Sequence, residues 1–570
     1  MSDEVEGRVT VGLDRAIEAG PPRPVGLLRL PMLAGTEQLA ADRALKCLHQ
    51  LDASTGIWKR ISELAAAEPH RVAVVTGTET MTYQGLCYRV RQVQATLLAE
   101  RCEPGDRIAV VGPRSADTIA VFLAIESLGA VYLPVASEWP VARVAGMFEH
   151  SQPRCVILMD IARGHCSMVV QAAAEAFIPV VAMPGENAEV AAWTAPRIAL
   201  DDEARYIIQT SGTAGRPKGA VVNQMGLQNH LWSMVAALGL TDSDTVAFTA
   251  PPVYVISIWQ MLAALLVGGS VVVVTDNDMR FARHLVASVV QARVTVMELV
   301  PTVIRWIVQD AKRRKSILDL PDLRCLISTG ERLDPGLAAE VLQAFPQKKF
   351  FNAYGSTECS DDVSLHLITA RDLTAPQLPA GKPLPNVALY LLVNENGVWR
   401  AAEVREAGEL WVGGVAVGAG YLGKPDVTRE AFFVDDFDPH SRTGRLYRTG
   451  DLATFENGLV RIIGRVDRQV KIAGMRIELA EIETAMSRIP GVLQCVAVAE
   501  RPGDDTQIAV YYIAESGILQ DDLLAHLRSS LPKEMFPRRW VRLETMPRNG
   551  SGKIDYRALL KYDTPDRADA

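Results

Sequence analysis

The sequence predicts an α/β protein with a large N-terminal domain of helix-covered sheets, a small β-rich subdomain and a small α+β C-terminal domain. Short apolar, β-branched runs alternate with helix-length segments over residues 56–463, a pattern typical of parallel strands covered by helices. Residues 404–463 contain Gly-rich short strands with turn signals, which predicts the β-rich subdomain within the large domain. The apolar runs begin at Arg107, Cys155, Ser270 and Cys325.

The two ends of the chain show different patterns. Residues 1–55 have no strong period and include a Gly-Pro-Pro-Arg-Pro segment, so we expect a partly flexible extension with an apolar anchor at residues 27–33. Residues 464–570 predict a separate α+β domain. Its expected elements are a helix over residues 478–488, strands over 495–499 and 508–513, and a helix over 520–530.

Composition and charge narrow the class of protein. The chain has 570 residues, of which 48% are hydrophobic and 22% charged, and its net charge is -8. A negative net charge disfavours nucleic acid and acidic membrane surfaces as partners, because both attract basic faces. The first residues are acidic where a signal peptide needs positive charge, and no apolar stretch reaches the roughly 20 residues of a membrane span. The eight cysteines form no CxxC pair or zinc-type cluster, and we expect a cytoplasmic protein.

The most informative segment is a glycine-rich loop between two apolar strands, within residues 206–219. Glycines let the backbone approach a ligand, and N–H groups, hydroxyls and a lysine can hold phosphate oxygens. A Walker A loop is excluded because Lys218 is followed by Gly219 and a strand, not by Ser or Thr and a helix. A flexible hairpin is the alternative for the loop taken alone. The candidate phosphate-binding residues are Thr210, Ser211, Gly212, Thr213, Gly215 and Lys218.

This loop resembles the phosphate loop of adenylate-forming enzymes, the superfamily of acyl-CoA synthetases, nonribosomal peptide synthetase adenylation domains and luciferases. The resemblance covers roughly residues 56–560, because further strings follow in the family's order. It implies ATP-dependent activation of a carboxylic acid as acyl-AMP, with Mg²⁺ as cofactor and a mobile small domain. The further strings begin at Asn352, Tyr447, Gly464 and Pro547.

The string from Asn352 to Glu358 resembles the family's nucleotide segment. By this resemblance Tyr354 stacks on adenine, Thr357 contacts the α-phosphate as a catalytic residue, and Glu358 helps to hold Mg²⁺. A hard cation of this kind takes carboxylate and phosphate oxygens. Gly330 and Asn352 are further expected nucleotide contacts. Read alone, the segment is an ordinary loop.

Two later regions complete the expected catalytic machinery. Asp451 resembles the ribose-binding carboxylate of the family, which can accept from both ribose hydroxyls. By resemblance, Arg465 lies near the ribose or the phosphates, and Asp467 matches the hinge between the two domains. Lys553, in a glycine-rich turn, resembles the catalytic lysine that neutralises the substrate carboxylate and the α-phosphate. Outside the family context, Lys553 is a surface loop lysine.

Alignment with the family, residue by residue, defines an acyl pocket. In α-amino-acid domains an Asp two residues before a Ser holds the α-ammonium group, and Val255 stands there in this chain. A cation beside Val255 would be buried without a partner, which disfavours an ordinary α-amino acid. Three acids in the pocket instead predict a substrate whose cationic group is distal to its carboxylate, such as a β-amino, ω-amino or guanidino acid. The alternative for the two aspartates is that they cap a helix or face solvent. The pocket positions are Val255, Ile256, Trp259, Glu298, Ile327, Thr329, Ala353, Asp361 and Asp362.

The sequence leaves two candidates for the thiol that accepts the acyl group, the phosphopantetheine of a carrier protein and CoA. The string over residues 469–478 is more like peptide-synthetase adenylation domains, although its charges taken alone suit a solvated helix face. Ser356 and Ala473 depart from the peptide-synthetase pattern, and Ser356 leans toward CoA ligases. The leading prediction is transfer to the phosphopantetheine thiol of a carrier protein in trans, because the chain beyond Lys553 is too short for a carrier domain. The alternatives are an acid–CoA ligase, a non-catalytic nucleotide-binding homologue and a luciferase-like oxygenase.

Overall fold

The structure is a computed structural model of the chain. It describes residues 26–47, 56–159, 166–185, 187–188, 190, 200–211, 217–314, 319–472, 474–500, 506–548 and 554–562. Four of the predicted site residues lie outside this range, namely Gly212, Thr213, Gly215 and Lys553.

The strands are numbered in chain order. They are β1 (Leu28–Arg29), β2 (Leu45–Cys47), β3 (Val72–Thr76), β4 (Glu79–Thr82), β5 (Arg107–Val111), β6 (Val131–Val135), β7 (Cys155–Leu158), β8 (Val180–Ala182), β9 (Ala204–Thr210), β10 (Lys218–Asn223), β11 (Thr245–Phe248), β12 (Ser270–Val273), β13 (Val296–Leu299), β14 (Cys325–Ser328), β15 (Lys349–Ser356), β16 (Asp361–Leu367), β17 (Lys382–Pro383), β18 (Val387–Glu395), β19 (Val398–Ala401), β20 (Gly408–Gly414), β21 (Gly420–Tyr421), β22 (Phe432–Val434), β23 (Arg445–Glu456), β24 (Leu459–Arg465), β25 (Gln469–Ile472), β26 (Met475–Glu478), β27 (Val492–Glu500), β28 (Gln507–Ala514) and β29 (Arg539–Arg542). The α-helices are Glu37–Arg43, Ile57–Ala67, Tyr83–Ala99, Ala116–Ser127, Val141–Ser151, Ser167–Glu175, Gln224–Leu238, Ile256–Leu262, Asp276–Met279, Ala282–Gln291, Pro301–Arg314, Pro335–Ala344, Pro425–Ala431, Leu479–Ser487, Gln520–Arg528 and Tyr556–Leu559.

Two large sheets with parallel centres form the main body of the fold, as the apolar runs predicted. The first has seven strands in the order β21-β10-β9-β6-β5-β7-β8, with β10 and β21 antiparallel to their neighbours. The second has nine strands in the order β17-β16-β15-β14-β13-β11-β12-β3-β4, and its antiparallel strands β17, β16 and β4 lie at the edges. The predicted α/β class is therefore confirmed.

A helix layer lies between these two sheets. Helix Ala116–Ser127 is buried at every position from Thr118 to Glu126, which is typical of a helix covered on all sides. Its residues share one core with inward-facing side chains of both sheets, such as Ile108 of the first and Val271 of the second. This arrangement fixes the carboxyl ends of neighbouring parallel strands at common edges, where ligands of such sheets bind.

A third, eight-stranded sheet contains the predicted β-rich segment and more. Its order is β1-β22-β23-β20-β18-β19, with β2 paired to β18 and β24 to β23. Residues 26–47, part of the predicted extension, thus supply β1 and β2, and β18 and β19 precede residue 404. The predicted segment omitted β18, a nine-residue inner strand that precedes residue 404, and also β1 and β2, which at two and three residues are too short to show a strand period. The division of the chain at residues 55 and 463 stays a prediction.

The C-terminal part has the predicted α+β pattern. A β25–β26 hairpin precedes helix Leu479–Ser487, and a three-stranded sheet β27-β28-β29 packs with helix Gln520–Arg528. The predicted and observed elements differ by only a few residues at their ends. None of the helices in the described part of the chain combines the length and apolarity that crossing a bilayer needs.

Candidate active site

The phosphate-loop hairpin is closed at its base. Thr210 and Lys218 face each other across the antiparallel pair β9–β10, and the Thr210 hydroxyl donates to the Lys218 carbonyl at 3.3 Å. Next in the chain, the Ser211 hydroxyl donates to the carbonyl of Arg476 at 2.6 Å. The predicted phosphate loop is therefore in contact with the β25–β26 hairpin. Its other predicted members, Gly212, Thr213 and Gly215, lie outside the described residues.

Lys218 is buried between the base of the phosphate-loop hairpin and strand β26. Its Nζ lies 4.0 Å from Oε1 of Glu478 and 5.2 Å from the centre of the Tyr421 ring. Burial lowers the pKa of Lys218 more than Glu478 and Glu358 raise it. The lysine thus belongs to a group of charged side chains shared by the first sheet and the C-terminal hairpin.

Glu358 is the central carboxylate of this group. It is 1% exposed, in the short turn Thr357–Cys359 that follows β15. Arg476 Nη1 donates to both carboxylate oxygens at 3.3 and 3.2 Å, and the Tyr421 hydroxyl donates to Oε1 at 2.8 Å. Burial opposes ionisation, but these partners outweigh it and hold the pKa of Glu358 below its usual value. Glu358 is therefore an ionised carboxylate at neutral pH.

This environment fits the Mg²⁺ that the resemblance implies. The Glu358 carboxylate is held in its ionised form, and the group that contacts its two oxygens, the Arg476 guanidinium, is a cation. A hard cation there would complete its coordination with phosphate oxygens and water. Arg476 Nη1 occupies part of the lone-pair capacity of both oxygens, so a metal ion would share this carboxylate with the guanidinium.

The predicted ribose and adenine residues also meet in the cleft. The Tyr354 hydroxyl donates to Oδ2 of Asp451 at 2.6 Å, and Arg465 donates to Oδ1 at 2.6 Å. Arg465 continues the network to both oxygens of Asp467, at 2.6 and 2.7 Å. Asp467 thus links the last strand of the third sheet to the hairpin that follows, and its hinge role stays a prediction.

The remaining predicted nucleotide residues border the same cleft. The Asn352 amide donates to the Pro379 carbonyl at 2.8 Å, and Thr357 lies directly before Glu358. Gly330 has φ +79°, and a Cβ built on it would lie 3.6 Å from the Cα of Gly474. The distance to Gly474 is ordinary contact, whereas the same Cβ would lie 3.3 Å from Cγ1 of Val300, so that side chain would have to move slightly.

The β25–β26 hairpin enters the cleft, which the sequence did not indicate. Lys471 Nζ lies 5.6 Å from the centre of the Tyr354 ring, and Gly474 N–H donates to Glu331 at 3.1 Å. The interpretation of the charges of residues 469–483 as a solvated helix face is wrong for β25 and β26, whose cations Lys471 and Arg476 lie beside buried acids, whereas a helix begins at Leu479. Lys471, Arg476 and Tyr421 are the functional candidates that the site prediction missed.

Three carboxyl groups share the predicted acyl pocket. Glu298, Asp361 and Asp362 are 0%, 6% and 3% exposed. Trp259 Nε1 donates to Oε2 of Glu298 at 2.5 Å, and the Thr329 hydroxyl donates to Oδ1 of Asp362 at 3.0 Å. The Glu298 and Asp362 carboxyl groups also lie within hydrogen-bond reach of each other, so a proton on one of them is shared by the pair. Oδ2 of Asp361 has no hydrogen-bond partner within the described residues.

Burial sets the ionisation of these acids. It raises the pKa of Glu298 and Asp361 well above the usual range, and that of Asp362 to about 6. Both aspartates open strand β16, so helix capping and solvent exposure are wrong for them. A Cβ at Gly355 would lie 1.9 Å from the Asp361 carbonyl, so a glycine is needed for β16 to return this closely.

The apolar pocket residues frame these acids. Ile327 is the register partner of Glu298 on the neighbouring strand, and both are fully buried. Ala353 is 4% exposed, whereas Val255 and Ile256 are partly exposed at the start of helix Ile256–Leu262. One polar residue was missed entirely. His230, on helix Gln224–Leu238, has a ring nitrogen that clusters with oxygens of Asp361 and Asp362 within 4.8 Å, and nothing in its sequence neighbourhood signals this.

Comparison with known proteins identifies the family of this chain. The AMP-binding enzyme family matches residues 61–422, and the AMP-binding enzyme C-terminal domain matches residues 481–553. Tyrocidine synthase 3 of Brevibacillus parabrevis is 30% identical over 572 residues, covering 97% of this chain and 8% of that protein. Enterobactin synthase component F of Escherichia coli (strain K12) is 31% identical over 578 residues, covering 95% of this chain and 43% of that protein. The chain thus spans less than half the length of these relatives.

Among solved structures, PA1221 is a nonribosomal peptide synthetase protein containing adenylation and PCP domains. In its holo form, bound to a vinylsulfonamide inhibitor, it matches with a TM-score of 0.77 at 27% identity, over 90% of this chain and 85% of that one. The family match spans most of the chain and includes the phosphate loop, Glu358 and the acyl pocket. The chain therefore belongs to the AMP-binding enzyme family of adenylate-forming ligases, and its fold is that of an adenylation domain.

Proposed function

We propose that this chain activates a carboxylic acid with ATP as acyl-AMP and then transfers the acyl group to a thiol. The observation that carries the proposal is one hydrogen-bonded network that joins the phosphate-loop hairpin, the ionised Glu358 and the Asp451–Tyr354 pair. These groups suit, in turn, the phosphates, their metal ion and the nucleoside of ATP. The full set of expected ionisable groups in the sequence argues against a non-catalytic homologue.

In the first step, a carboxylate oxygen of the acid attacks the α-phosphorus of ATP. The bond from that phosphorus to the bridging oxygen breaks, and pyrophosphate leaves with the electron pair. Two anions must approach each other, so positioning and charge neutralisation supply most of the catalysis. Lys553 is the cation proposed for this role, and Glu358 would hold Mg²⁺, which neutralises phosphate oxygens when bound.

In the second step, a thiolate attacks the acyl carbon and AMP leaves. The docked β25–β26 hairpin supports a change of arrangement between the steps, because Arg476 contacts both oxygens of Glu358, the carboxylate that would hold Mg²⁺. Asp467, between the third sheet and the hairpin, is the proposed pivot.

The proposed acceptor is the phosphopantetheine thiol of a carrier protein supplied in trans. Support comes from the relatives, since the solved PA1221 protein contains adenylation and PCP domains, and from the peptide-synthetase character of residues 469–478. The second candidate is an acid–CoA ligase, which Ser356 favours. Side-by-side assays of thioester formation with CoA and with a phosphopantetheinylated carrier protein distinguish the two acceptors.

The proposed substrate is an acid whose cationic group is distal to the carboxylate. Val255 offers no partner for an α-ammonium, whereas Glu298, Asp361 and Asp362 bring three buried carboxyl groups together. Burial favours the protonated form of Glu298 and Asp361 and raises the pKa of Asp362 only to about 6, so Asp362 is the carboxylate for which a distal ammonium or guanidinium would provide the counter-charge. The pocket therefore favours cationic over neutral acids.

ATP–pyrophosphate exchange against α-amino, β-amino, ω-amino, guanidino, aryl and fatty acids tests both parts of the proposal. We expect exchange with the distally cationic acids only. Exchange with an α-amino or neutral acid would keep the chemistry and contradict the substrate class. The absence of exchange with every acid of the panel, in a protein that still binds ATP, would contradict the proposed activity itself.

A further inference from the structure

A buried ion pair outside the network proposed for ATP joins the C-terminal part to the large domain. Nη1 of Arg143, on helix Val141–Ser151, lies 2.8 Å from Oε1 of Glu481, on helix Leu479–Ser487. The two side chains are 7% and 1% exposed. The guanidinium also lies over the Trp139 ring, 5.2 Å from the ring centre. The pair is therefore a closed and directional contact between two helices that are distant in the chain.

Apolar packing around this ion pair is incomplete. A cavity of about 270 Å³ opens beside it, lined by Arg143 and Met147 of one helix and by Glu481, Thr484 and Ala485 of the other. An interface that leaves such a space buries less apolar surface there, so the ion pair contributes more of its stability. Removal of one partner of a buried ion pair is costly, because the other charge stays buried without compensation. The contact between the two helices thus depends on both side chains.

The docked helix and the residue that follows Lys553 lie on opposite faces of the C-terminal sheet. Ile482 of that helix packs in one apolar cluster with Val510 of β28, whereas Ile554 packs in another with Tyr511. Neighbouring residues of a strand point to opposite faces of its sheet. A helix with its side chains is about 10–12 Å across, which is more than one lysine side chain spans. The proposed contact of Lys553 with the α-phosphate therefore requires the C-terminal part to turn, and the turn breaks the ion pair.

We propose that Arg143 and Glu481 are positioning residues that favour thioester formation, because they hold the arrangement in which the β25–β26 hairpin is docked. This rests on the proposed function, in which Lys553 serves the first step and thiol attack is the second. In the same arrangement Gly474 N–H donates to Glu331 at 3.1 Å, so the hairpin and the helix dock together. An equilibrium between two arrangements shifts by the difference between the contacts that each one makes. Since the ion pair exists in one arrangement only, its loss favours adenylation over thioester formation.

Hydrogen exchange at the Gly474 amide, measured on the full chain without substrate, tests whether the pair holds the arrangement. Arg143→Gln and Glu481→Gln should each exchange faster there by roughly 10- to 150-fold, the range for losing a hydrogen bond between charged groups. The double variant should exchange little faster than either single variant, because both remove the same interaction. Glu149→Gln, at an exposed residue that lines the same cavity, is the control and should match the wild type.

The rates of the two half-reactions test the link to thioester formation. With an acid that supports ATP–pyrophosphate exchange, Arg143→Gln and Glu481→Gln should keep or raise that exchange. Thioester formation on a phosphopantetheinylated carrier protein or on CoA should slow by roughly tenfold or more, because a smaller fraction of the protein has the required arrangement. Arg143→Lys, which keeps the positive charge, should recover part of the thioester rate. A merely structural defect would instead lower both rates together.

The outcomes separate this inference from the proposed function. Wild-type hydrogen exchange at Gly474 in both glutamine variants would overturn the positioning role. Faster exchange at Gly474 with equal losses in both half-reactions would overturn the link to thioester formation. A wild type that activates no acid would overturn the proposed function and that link with it, and Gly474 would then decide only whether the pair holds the arrangement. If the glutamine variants fail to fold, the same measurements on Arg143→Lys decide the question.

Discussion

Replacing Arg476 tests how firmly the β25–β26 hairpin is held in the cleft. Its guanidinium contacts both oxygens of Glu358 at 3.2 and 3.3 Å and donates to the Tyr447 hydroxyl at 3.2 Å. Breaking a buried ion pair by removing one partner costs about 3–5 kcal/mol. The lower end applies here, because Tyr421 and Lys218 remain beside the carboxylate. For Arg476→Ala we therefore expect the docked arrangement to lose about 3 kcal/mol, roughly a 150-fold shift in its equilibrium.

Amide hydrogen exchange of residues 469–478 measures this equilibrium directly. In the wild type we expect slow exchange in the hairpin, and in Arg476→Ala exchange faster by roughly 150-fold, with strand β14 unchanged as an internal reference. Arg488→Ala, at an exposed arginine that ends helix Leu479–Ser487, is the matched control and should match the wild type. Equal hairpin protection in Arg476→Ala and the wild type would refute the argument that the ion pair holds the hairpin.

Three further predictions concern the chemistry. Lys553→Ala should lower pyrophosphate exchange by roughly 10²- to 10³-fold while ATP binding, measured by calorimetry, is retained. The control Lys561→Ala should retain both exchange and ATP binding. Normal exchange in Lys553→Ala would contradict the proposed role of this lysine. Asp362→Asn should lower the preference for cationic over neutral acids, whereas Asp435→Asn, at a buried carboxyl of the third sheet, should leave it unchanged. The affinity for a cationic acid should rise with pH through about 6 and weaken about tenfold for each unit below it, because a cation pairs with ionised Asp362 and its pKa is raised to about 6. Calorimetric titrations across this pH range should lose that slope in Asp362→Asn, and an unchanged slope would exclude Asp362 as its source.

Local sequence strings predicted which residues of the proposed nucleotide site lie together. Glycines, hydroxyls and a lysine between two apolar runs predict a phosphate-binding loop between two strands. The structure has the predicted strands on both sides of that loop. Tyr354, Asp451 and Arg465 come from separate strings and meet through hydrogen bonds of 2.6 Å. These residues were predictable because each string carries residue types tied to one part of ATP.

Contacts between distant segments could not be predicted in the same way. Lys471 and Arg476 lie in a charged string that suits a solvated surface, and only the acids on other strands explain their burial. His230 lies in a helix whose buried positions give no sign of a site. The edge strands of the third sheet are similar, since β1 has two residues and pairs with β22, far along the chain. In each case the deciding interaction lies between elements, not within one.

The ionisation of the acyl pocket offers a physical basis for selecting a cationic substrate. Three ionised carboxyl groups in one buried space would repel each other, and burial raises the pKa of Glu298 and Asp361 well above the usual range. Without a ligand, these groups therefore retain protons and the pocket avoids most of its own charge. A cationic head group pairs with Asp362, whose pKa burial raises only to about 6, while Glu298 and Asp361 keep their protons. A neutral acid leaves the buried Asp362 carboxylate without a counter-charge. Burial thus disfavours charge in the empty pocket, and for the same reason substrate binding depends on a positive charge.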